Sequence, residues 1–202
     1  MGKIDPLPGP STLFQTIGHD PRPTSMGITG NYRTTIAILA LAASSAVSAD
    51  KKALQAANEK SKDLVGKPAP EFSLPDLDRK AFQLADGRGQ VVVLAFWATW
   101  CPPCRSEMPT FAKLQKEMAS QGVAITPIAV DGPAKARGFL KQKHIDLWSL
   151  VDESHTVTRP YGASFLPRTF VINREGVVAK TFVERVSEAD LRAAIRAAQG
   201  SK

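Results

Sequence analysis

The feature that most constrains the fold of this chain is an apolar run that ends shortly before two closely spaced cysteines. Residues 90–97 are continuously apolar after Gln90, which is typical of a strand buried on both faces. Cys101 and Cys104 follow, and residues 102–120 then show helical periodicity. The apolar side chains that define this periodicity are Met108, Phe111, Leu114 and Met118. The junction therefore predicts a buried strand, a turn that carries the cysteines, and a helix.

Strands and helices alternate along much of the remaining chain. Short strands are predicted for residues 71–74, 81–84, 123–130, 148–151, 169–172 and 177–183. Helices are predicted for residues 133–144 and 187–199, the second with Ser187 as its N-cap and Asp190 in its first turn. This order predicts an α/β fold in which helices cover both faces of a sheet.

The N-terminal part of the chain has the three parts of a secretory signal peptide. Arg33 precedes the apolar, alanine-rich residues 36–47, and Val47-Ser48-Ala49 supplies a small-residue cleavage pattern. The apolar run has 12 residues, whereas a membrane-spanning helix needs about 20. A cleaved signal peptide is therefore favoured, and an uncleaved leader that tethers the domain to the membrane is the alternative.

The position of this run predicts where the native protein starts. Signal peptides have about 15–30 residues. Counted from Met1 this one would have 49 residues, and counted from Met26 it has 24. We therefore expect residues 1–25 to be a non-native upstream extension and residues 26–49 to be the signal peptide. The polar, alanine-rich residues 50–63 are interpreted as a linker or loose helix outside the core, and residues 64–202 as the domain.

Composition excludes several classes of protein. Apolar residues make up 43% and charged residues 22%, which are ordinary values for a globular chain. Because the chain has two cysteines, neither a disulfide-stapled miniprotein nor a four-cysteine zinc site is possible. The net charge is +7. The basic helix residues Lys135, Arg137, Lys141 and Lys143 could steer acidic partners, but such a run is more often a solvated face, which is the favoured interpretation. We expect no nucleic-acid partner.

A C-x-x-C pair at a strand–helix junction predicts redox chemistry. Unpaired N–H groups and the helix dipole favour the thiolate of Cys101, and the thiolate is the form that attacks a disulfide. Cys104 lies one turn further on, where it can resolve the mixed disulfide. A structural disulfide is disfavoured because so small a ring constrains the unfolded chain little. A metal site is disfavoured because the other candidate ligands, His144 and His155, are distant in sequence. We expect no metal and no cofactor other than the redox-active disulfide.

Several stretches of the chain resemble one known family. Residues 96–104, Phe-Trp-Ala-Thr-Trp-Cys-Pro-Pro-Cys, resemble the active-site stretch of thioredoxin-fold proteins. Residues 66–74, Glu107-Met108-Pro109, Tyr161-Gly162, residues 166–172 and Glu175-Gly176 extend the match. Together they are similar to the TlpA/ResA/DsbE group of exported thiol:disulfide oxidoreductases, and the similarity spans residues 64–198.

The resemblance implies a fold and a function. The expected fold is thioredoxin-like, with a central mixed sheet flanked by helices and an N-terminal strand extension. Members of the group usually act as reductants in cytochrome c or oxidase maturation. The resemblance therefore implies a periplasmic protein that reduces disulfides of protein substrates and is recharged by an upstream membrane thiol reductant. We expect it to be a monomer.

The resemblance also assigns substrate-binding residues. Pro167 matches the family's cis-proline, which lies against the active-site cysteines, and the backbone of Leu166 would pair with a bound substrate strand. Trp100 is interpreted as a lid edge beside the first cysteine, and Pro102 and Pro103 complete the expected substrate-binding surface. The alternative for Pro167 is an ordinary trans-proline in a surface loop.

Glu107 is the third expected catalytic residue. It matches a glutamate that ResA-type and DsbE-type proteins carry three residues after the second cysteine, where it tunes cysteine protonation. Thioredoxin uses an aspartate six residues before the first cysteine, and this chain has Ala95 there. The alternative is that Glu107 only favours the start of the helix by its charge.

The two prolines between the cysteines predict a reducing protein. Pro102 and Pro103 have no N–H, so within the C-x-x-C ring the Cys104 N–H is left to stabilise a Cys101 thiolate. Weaker stabilisation raises the pKa of Cys101 and lowers the reduction potential. We expect a potential nearer that of thioredoxin, about −270 mV, than that of DsbA, about −120 mV. The charge of Arg105 acts in the opposite direction.

Other thiol chemistries fit the sequence less well. A peroxiredoxin has a proline seven residues and a threonine three residues before its reactive cysteine, and this chain has Leu94 and Ala98 there, with Thr99 one position off. An exported copper chaperone of this fold has C-x-x-x-C and a distant histidine, although a dithiol also suits Cu(I). A copper-binding thiol chaperone and a disulfide oxidase or isomerase remain the alternative functions.

Overall fold

The computed structural model describes the backbone of residues 32–200 and the side chains of residues 47–200. The chain divides into two compact units, residues 1–42 and residues 43–202. In the first unit, the described residues belong to helix α1 (Tyr32–Asp63). The predicted extension, residues 1–25, and the first residues of the predicted signal peptide lie outside the described residues. Among the residues that are described, no helix has the length and apolar character needed to cross a membrane.

The second unit is built on a mixed five-stranded sheet with the order β5-β4-β3-β6-β7. The strands are β3 (Val91–Trp97), β4 (Val123–Ala129), β5 (Leu150–Val151), β6 (Arg168–Ile172) and β7 (Val178–Phe182). Strand β3 runs parallel to β4 and antiparallel to β6, which makes the sheet mixed. All seven residues of β3 are buried, so the strand predicted from the apolar run is confirmed at the centre of the sheet.

An N-terminal hairpin precedes the sheet. Strand β1 (Ser73–Pro75) pairs antiparallel with β2 (Ala81–Gln83) as a separate two-stranded sheet. It contacts the main sheet where Asp76 bridges to Leu150 and where the Phe82 and Trp148 rings lie 5.6 Å apart. This hairpin is the N-terminal strand extension that the resemblance implies. The fold is therefore thioredoxin-like, as expected.

Three further helices flank the sheet: α2 (Pro102–Met118), α3 (Pro133–Gln142) and α4 (Glu188–Gly200). The predicted helix 133–144 ends earlier because His144 adopts a left-handed backbone conformation, with φ of 52°. The predicted strand 148–151 is shorter because the Trp148 N–H donates to the Gln115 side chain, at 3.0 Å, instead of to a strand. The N-cap prediction is confirmed, since the Asp190 N–H donates to Ser187 Oγ at 3.1 Å.

The last turns of α1 pack against the domain. Ser61 is fully buried, and its hydroxyl donates to the carbonyl oxygens of Tyr161 and Gly162 at 2.9 and 3.0 Å. Gly162 has φ of 64°, and an added Cβ there would lie 2.8 Å from the Ala57 carbonyl oxygen. Residues 50–63, predicted as a linker or loose helix outside the core, are thus helical, and the sequence did not predict the contact at Ser61.

Candidate active site

The two cysteines lie where β3 passes into α2. Cys101 is the N-cap of α2, with extended backbone angles, and Pro102 begins the helix. Cys101 and Cys104 form a disulfide, with their Cα atoms 5.3 Å apart. Cys101 is 3% exposed and Cys104 is 0% exposed. The predicted strand–turn–helix unit therefore places the pair, buried in the disulfide form, just after the central strand.

The hydrogen bonds around Cys101 match the expectation from the two prolines. The Cys104 N–H lies 3.3 Å from Cys101 Sγ and donates to it. The next N–H along the helix, that of Arg105, donates to the Cys101 carbonyl oxygen at 3.0 Å. Pro102 and Pro103 have no N–H to offer. Within the ring, the Cys101 sulfur therefore has the Cys104 N–H as its backbone donor.

A carboxylate from the neighbouring strand fixes the turn before Cys101. Asp131 follows β4, and its Oδ2 accepts from the Thr99 N–H at 3.0 Å and from the Thr99 hydroxyl. Its Oδ1 is buried and has no hydrogen-bond partner among the described residues. The sequence analysis did not identify Asp131. Its position at the carboxyl end of a strand parallel to β3 is the signal that would have found it.

Glu107 lies one helical turn after Cys104 and is 5% exposed. Its Oε1 accepts a hydrogen bond of 2.8 Å from the Val186 N–H. Burial raises the pKa of Glu107 to about 7, although the Val186 hydrogen bond and the Arg185 charge act to lower it. This carboxyl group is therefore able to exchange a proton near neutral pH.

Two of the five expected substrate-binding residues, Trp100 and Leu166, line one cavity. The Leu166–Pro167 peptide bond is cis, as the resemblance implies. Leu166 and Trp100 line the same cavity of about 240 Å³, and Trp100 is 64% exposed. Pro102 and Pro103 are exposed in the first turn of α2.

Arg168, the residue after the cis-proline, is buried completely. Its Nη1 donates to the Val183 carbonyl oxygen at 3.0 Å, and its Nη2 donates to Asn58 Oδ1 on α1. Val183 and Val186 lie in the segment after β7, so Arg168 and Glu107 hold the two ends of that segment. Arg168 directly precedes the predicted strand of residues 169–172, and the sequence analysis assigned it no role.

In the part of the chain that the structure describes, no group of three or more histidine, cysteine, aspartate or glutamate side chains is arranged to hold a metal ion.

The family of the chain follows from comparison with known proteins. The model of the AhpC/TSA family matches residues 65–181. The chain belongs to the AhpC/TSA family. One relative is the thiol-disulfide oxidoreductase ResA of Bacillus subtilis (strain 168), which is 37% identical over 124 residues, covering 61% of this chain and 69% of ResA. ResA of Geobacillus thermodenitrificans (strain NG80-2) is 35% identical over 135 residues, covering 66% of this chain and 78% of that protein.

A solved structure supports membership of the TlpA/ResA/DsbE group. A chain from Chlorobium tepidum, assigned as the thiol:disulfide interchange protein DsbE, is 32% identical with a TM-score of 0.62. The alignment covers 67% of this AhpC/TSA family member and 98% of the solved chain. The protein is therefore a TlpA/ResA/DsbE-like member of the thioredoxin superfamily and a thiol:disulfide oxidoreductase with Cys101 and Cys104 as its C-x-x-C pair.

Proposed function

We propose that this oxidoreductase is an exported protein disulfide reductant of the kind that serves cytochrome c or oxidase maturation. One observation carries the proposal: the Cys104 N–H is the backbone donor to Cys101 Sγ within the C-x-x-C ring. A thiolate with fewer donors is less stable, so the dithiol gives up its electrons more readily. Export is supported by the apolar residues 36–47 and the small-residue pattern that ends at Ala49.

The proposed reaction begins at Cys101. The Cys101 thiolate attacks one sulfur of a substrate disulfide, forms a mixed disulfide, and releases the other substrate sulfur as a thiolate. Cys104 then attacks Cys101 Sγ, which breaks the mixed disulfide and releases the second substrate thiolate. The protein disulfide forms, and two electrons pass from the protein dithiol to the substrate.

In this proposal, Glu107 accepts the proton that Cys104 loses. Cys104 must lose a proton before it attacks, because the thiolate is the nucleophile. The carboxylate of Glu107 takes up that proton, which its burial and its pKa of about 7 support. The positions three apart on α2 put both side chains on one helix face. The proton then passes to the released substrate thiolate.

The cycle requires an external supply of electrons. After one turnover the Cys101–Cys104 pair is a disulfide, and exported compartments are oxidising. An upstream membrane thiol reductant would reduce it by the same exchange in reverse order. The substrates are proteins with accessible disulfides, bound between Trp100 and the backbone of Leu166, with Pro102, Pro103 and Pro167 beside the dithiol.

The deciding experiment is a redox equilibration of the protein with glutathione buffers. The fraction of Cys101–Cys104 disulfide is measured by mass after trapping the free thiols. A potential well below about −220 mV supports a reductant. A potential of about −120 to −180 mV would indicate an oxidase or isomerase and would overturn the argument from the two prolines.

A further inference from the structure

The cavity that Trp100 and Leu166 line also contains two basic side chains that the proposed reaction does not use. It measures about 240 Å³ and is lined on one side by Trp100, the residue before Cys101, and by Leu166. Its other walls include His155 and Arg159, from the loop after β5. A substrate segment held against Trp100 and Leu166 would therefore also reach these two side chains.

The ionisable side chains in this cavity are basic. None of the described residues that line it is acidic, and both His155 and Arg159 are exposed. Within the described residues, neither side chain takes part in a hydrogen bond or an ion pair, whereas Arg137 and Arg192 elsewhere on the surface pair with carboxylates. The donors of His155 and Arg159 are thus free for a ligand.

Hydrogen bonds to the buried Asp152 hold the loop that carries His155 and Arg159. Asp152 is 1% exposed, and its carboxylate accepts five hydrogen bonds. Its Oδ1 accepts from the N–H and hydroxyl of Thr156, and its Oδ2 accepts from the N–H of Val157 and from the N–H and hydroxyl of Thr158. Because those bonds occupy both oxygens, Asp152 holds the loop in place and is not positioned as the partner of Arg159.

We propose that this cavity binds an acidic side chain, aspartate or glutamate, that flanks a cysteine of the substrate disulfide. The guanidinium of Arg159 and the imidazole of His155 donate to the carboxylate, and charge-assisted hydrogen bonds of this type are stronger than neutral ones. The Trp100 ring and Leu166 contact the apolar part of the same segment. The inference rests on the proposed reductase function and adds its substrate class, proteins with an acidic residue next to the disulfide.

The test uses two synthetic peptides, each with one intramolecular disulfide. In the first peptide glutamate flanks both cysteines, and in the second peptide glutamine flanks them. The protein is reduced with dithiothreitol, which is then removed, and single-turnover reduction is followed by quenching and mass analysis. We expect the glutamate peptide to react about tenfold faster at low ionic strength, because charge-assisted hydrogen bonds contribute on that scale. Added salt should shrink the difference.

Variants assign the preference to the cavity. Arg159→Gln and His155→Asn should abolish the preference for glutamate, measured as the ratio of the rates with the two peptides. Asparagine is the replacement for His155 because that residue has φ of 57°, which asparagine tolerates. Arg174→Gln is the matched control, since Arg174 is exposed beyond the far end of β6 from Pro167.

The outcomes separate the two proposals. If wild-type protein reduces both peptides equally fast, or if the preference survives in Arg159→Gln and His155→Asn, the acidic-substrate inference is wrong and the reductase function stands. If reduced protein leaves both peptides oxidised, the proposed function and this inference fail together. If the Arg174→Gln control also loses the preference for the glutamate peptide, the preference comes from the overall charge of the protein. That result would overturn the proposal that the cavity binds the acidic side chain.

Discussion

Glu107 Oε1 lies 2.8 Å from the backbone nitrogen of Val186 and accepts its hydrogen bond across 79 residues of sequence. The bond joins the helix that carries the dithiol to the segment that follows β7. Arg168 binds the other end of the same segment through the Val183 carbonyl oxygen. The residue after the cis-proline and the carboxyl group beside the cysteines are therefore connected through one short piece of backbone.

Stability should depend on pH through Glu107. Burial raises its pKa from 4.5 to about 7. The folded state therefore binds more protons than the unfolded state in that range, so the free energy of unfolding falls as pH rises through it. Glu107→Gln should remove this loss and be more stable than wild type at pH 8, by up to about 3 kcal/mol, with little difference at pH 4. Urea unfolding of the oxidised protein measures this without thiol titration.

The control for that measurement is Glu175→Gln, at an exposed position in the β6–β7 turn. It should leave the pH dependence of unfolding as in wild type. Equal pH dependence in wild type and Glu107→Gln would mean that the Glu107 carboxyl group titrates in the folded protein as it does in water.

Glu107→Gln should also shift the pH profile of thiol reactivity. The glutamine keeps the acceptor for the Val186 N–H but cannot take up a proton. We expect the pH dependence of Cys104 alkylation in the reduced protein to move, because the nearby group that titrates near pH 7 is gone. An unchanged profile would leave Glu107 as the acceptor of the Val186 N–H, with no part in cysteine protonation. A role at the helix start is disfavoured, because the first turn of α2 contains no acidic residue.

Pro103→Ala should make the protein less reducing. The substitution adds an N–H at the second position of α2. This N–H is next to that of Cys104, which donates to Cys101 Sγ. The added donor stabilises the thiolate, so the pKa of Cys101 falls and the potential rises. Glutathione equilibration measures the potential, and Pro109→Ala, a change at the proline within the same helix, should leave it unchanged.

Gly162→Ala should destabilise the protein more than Gly66→Ala. Both glycines have positive φ, 64° and 80°, so alanine at either costs about 1–2 kcal/mol. At Gly66 the added Cβ meets nothing within 4 Å, whereas at Gly162 it lies 2.8 Å from the Ala57 carbonyl oxygen. We expect Gly162→Ala to cost a further 1–3 kcal/mol or so by overpacking α1. Equal losses in thermal unfolding would mean that α1 does not stay on the domain.

Cys104→Ser should trap substrates. The variant keeps the Cys101 thiolate but lacks the thiol that resolves the mixed disulfide, so disulfide-linked complexes should accumulate through Cys101. Non-reducing gels followed by peptide mapping identify the linked cysteine. Cys101→Ser should trap little, and trapping through Cys104 in that variant would reverse the assigned roles.

The sequence by itself determined the fold class and the position of the redox pair. The apolar residues 91–97 have no polar face to present to water, so they predict a central strand, and β3 is buried along its whole length. The cysteines then had to lie at the start of the next helix. These are local relationships, and the spacing of residues along one stretch of chain is enough to predict them.

Only the tertiary structure decided the environment of that pair. A glutamate three positions after Cys104 is predictable, but its raised pKa depends on burial against a segment 79 residues away. The contacts of Thr99 with Asp131, of Arg168 with Asn58, and of Ser61 with Gly162 likewise join residues far apart in sequence. Periodicity reports which face of an element is buried, but not which partner covers it, and the partners set the chemistry of the site.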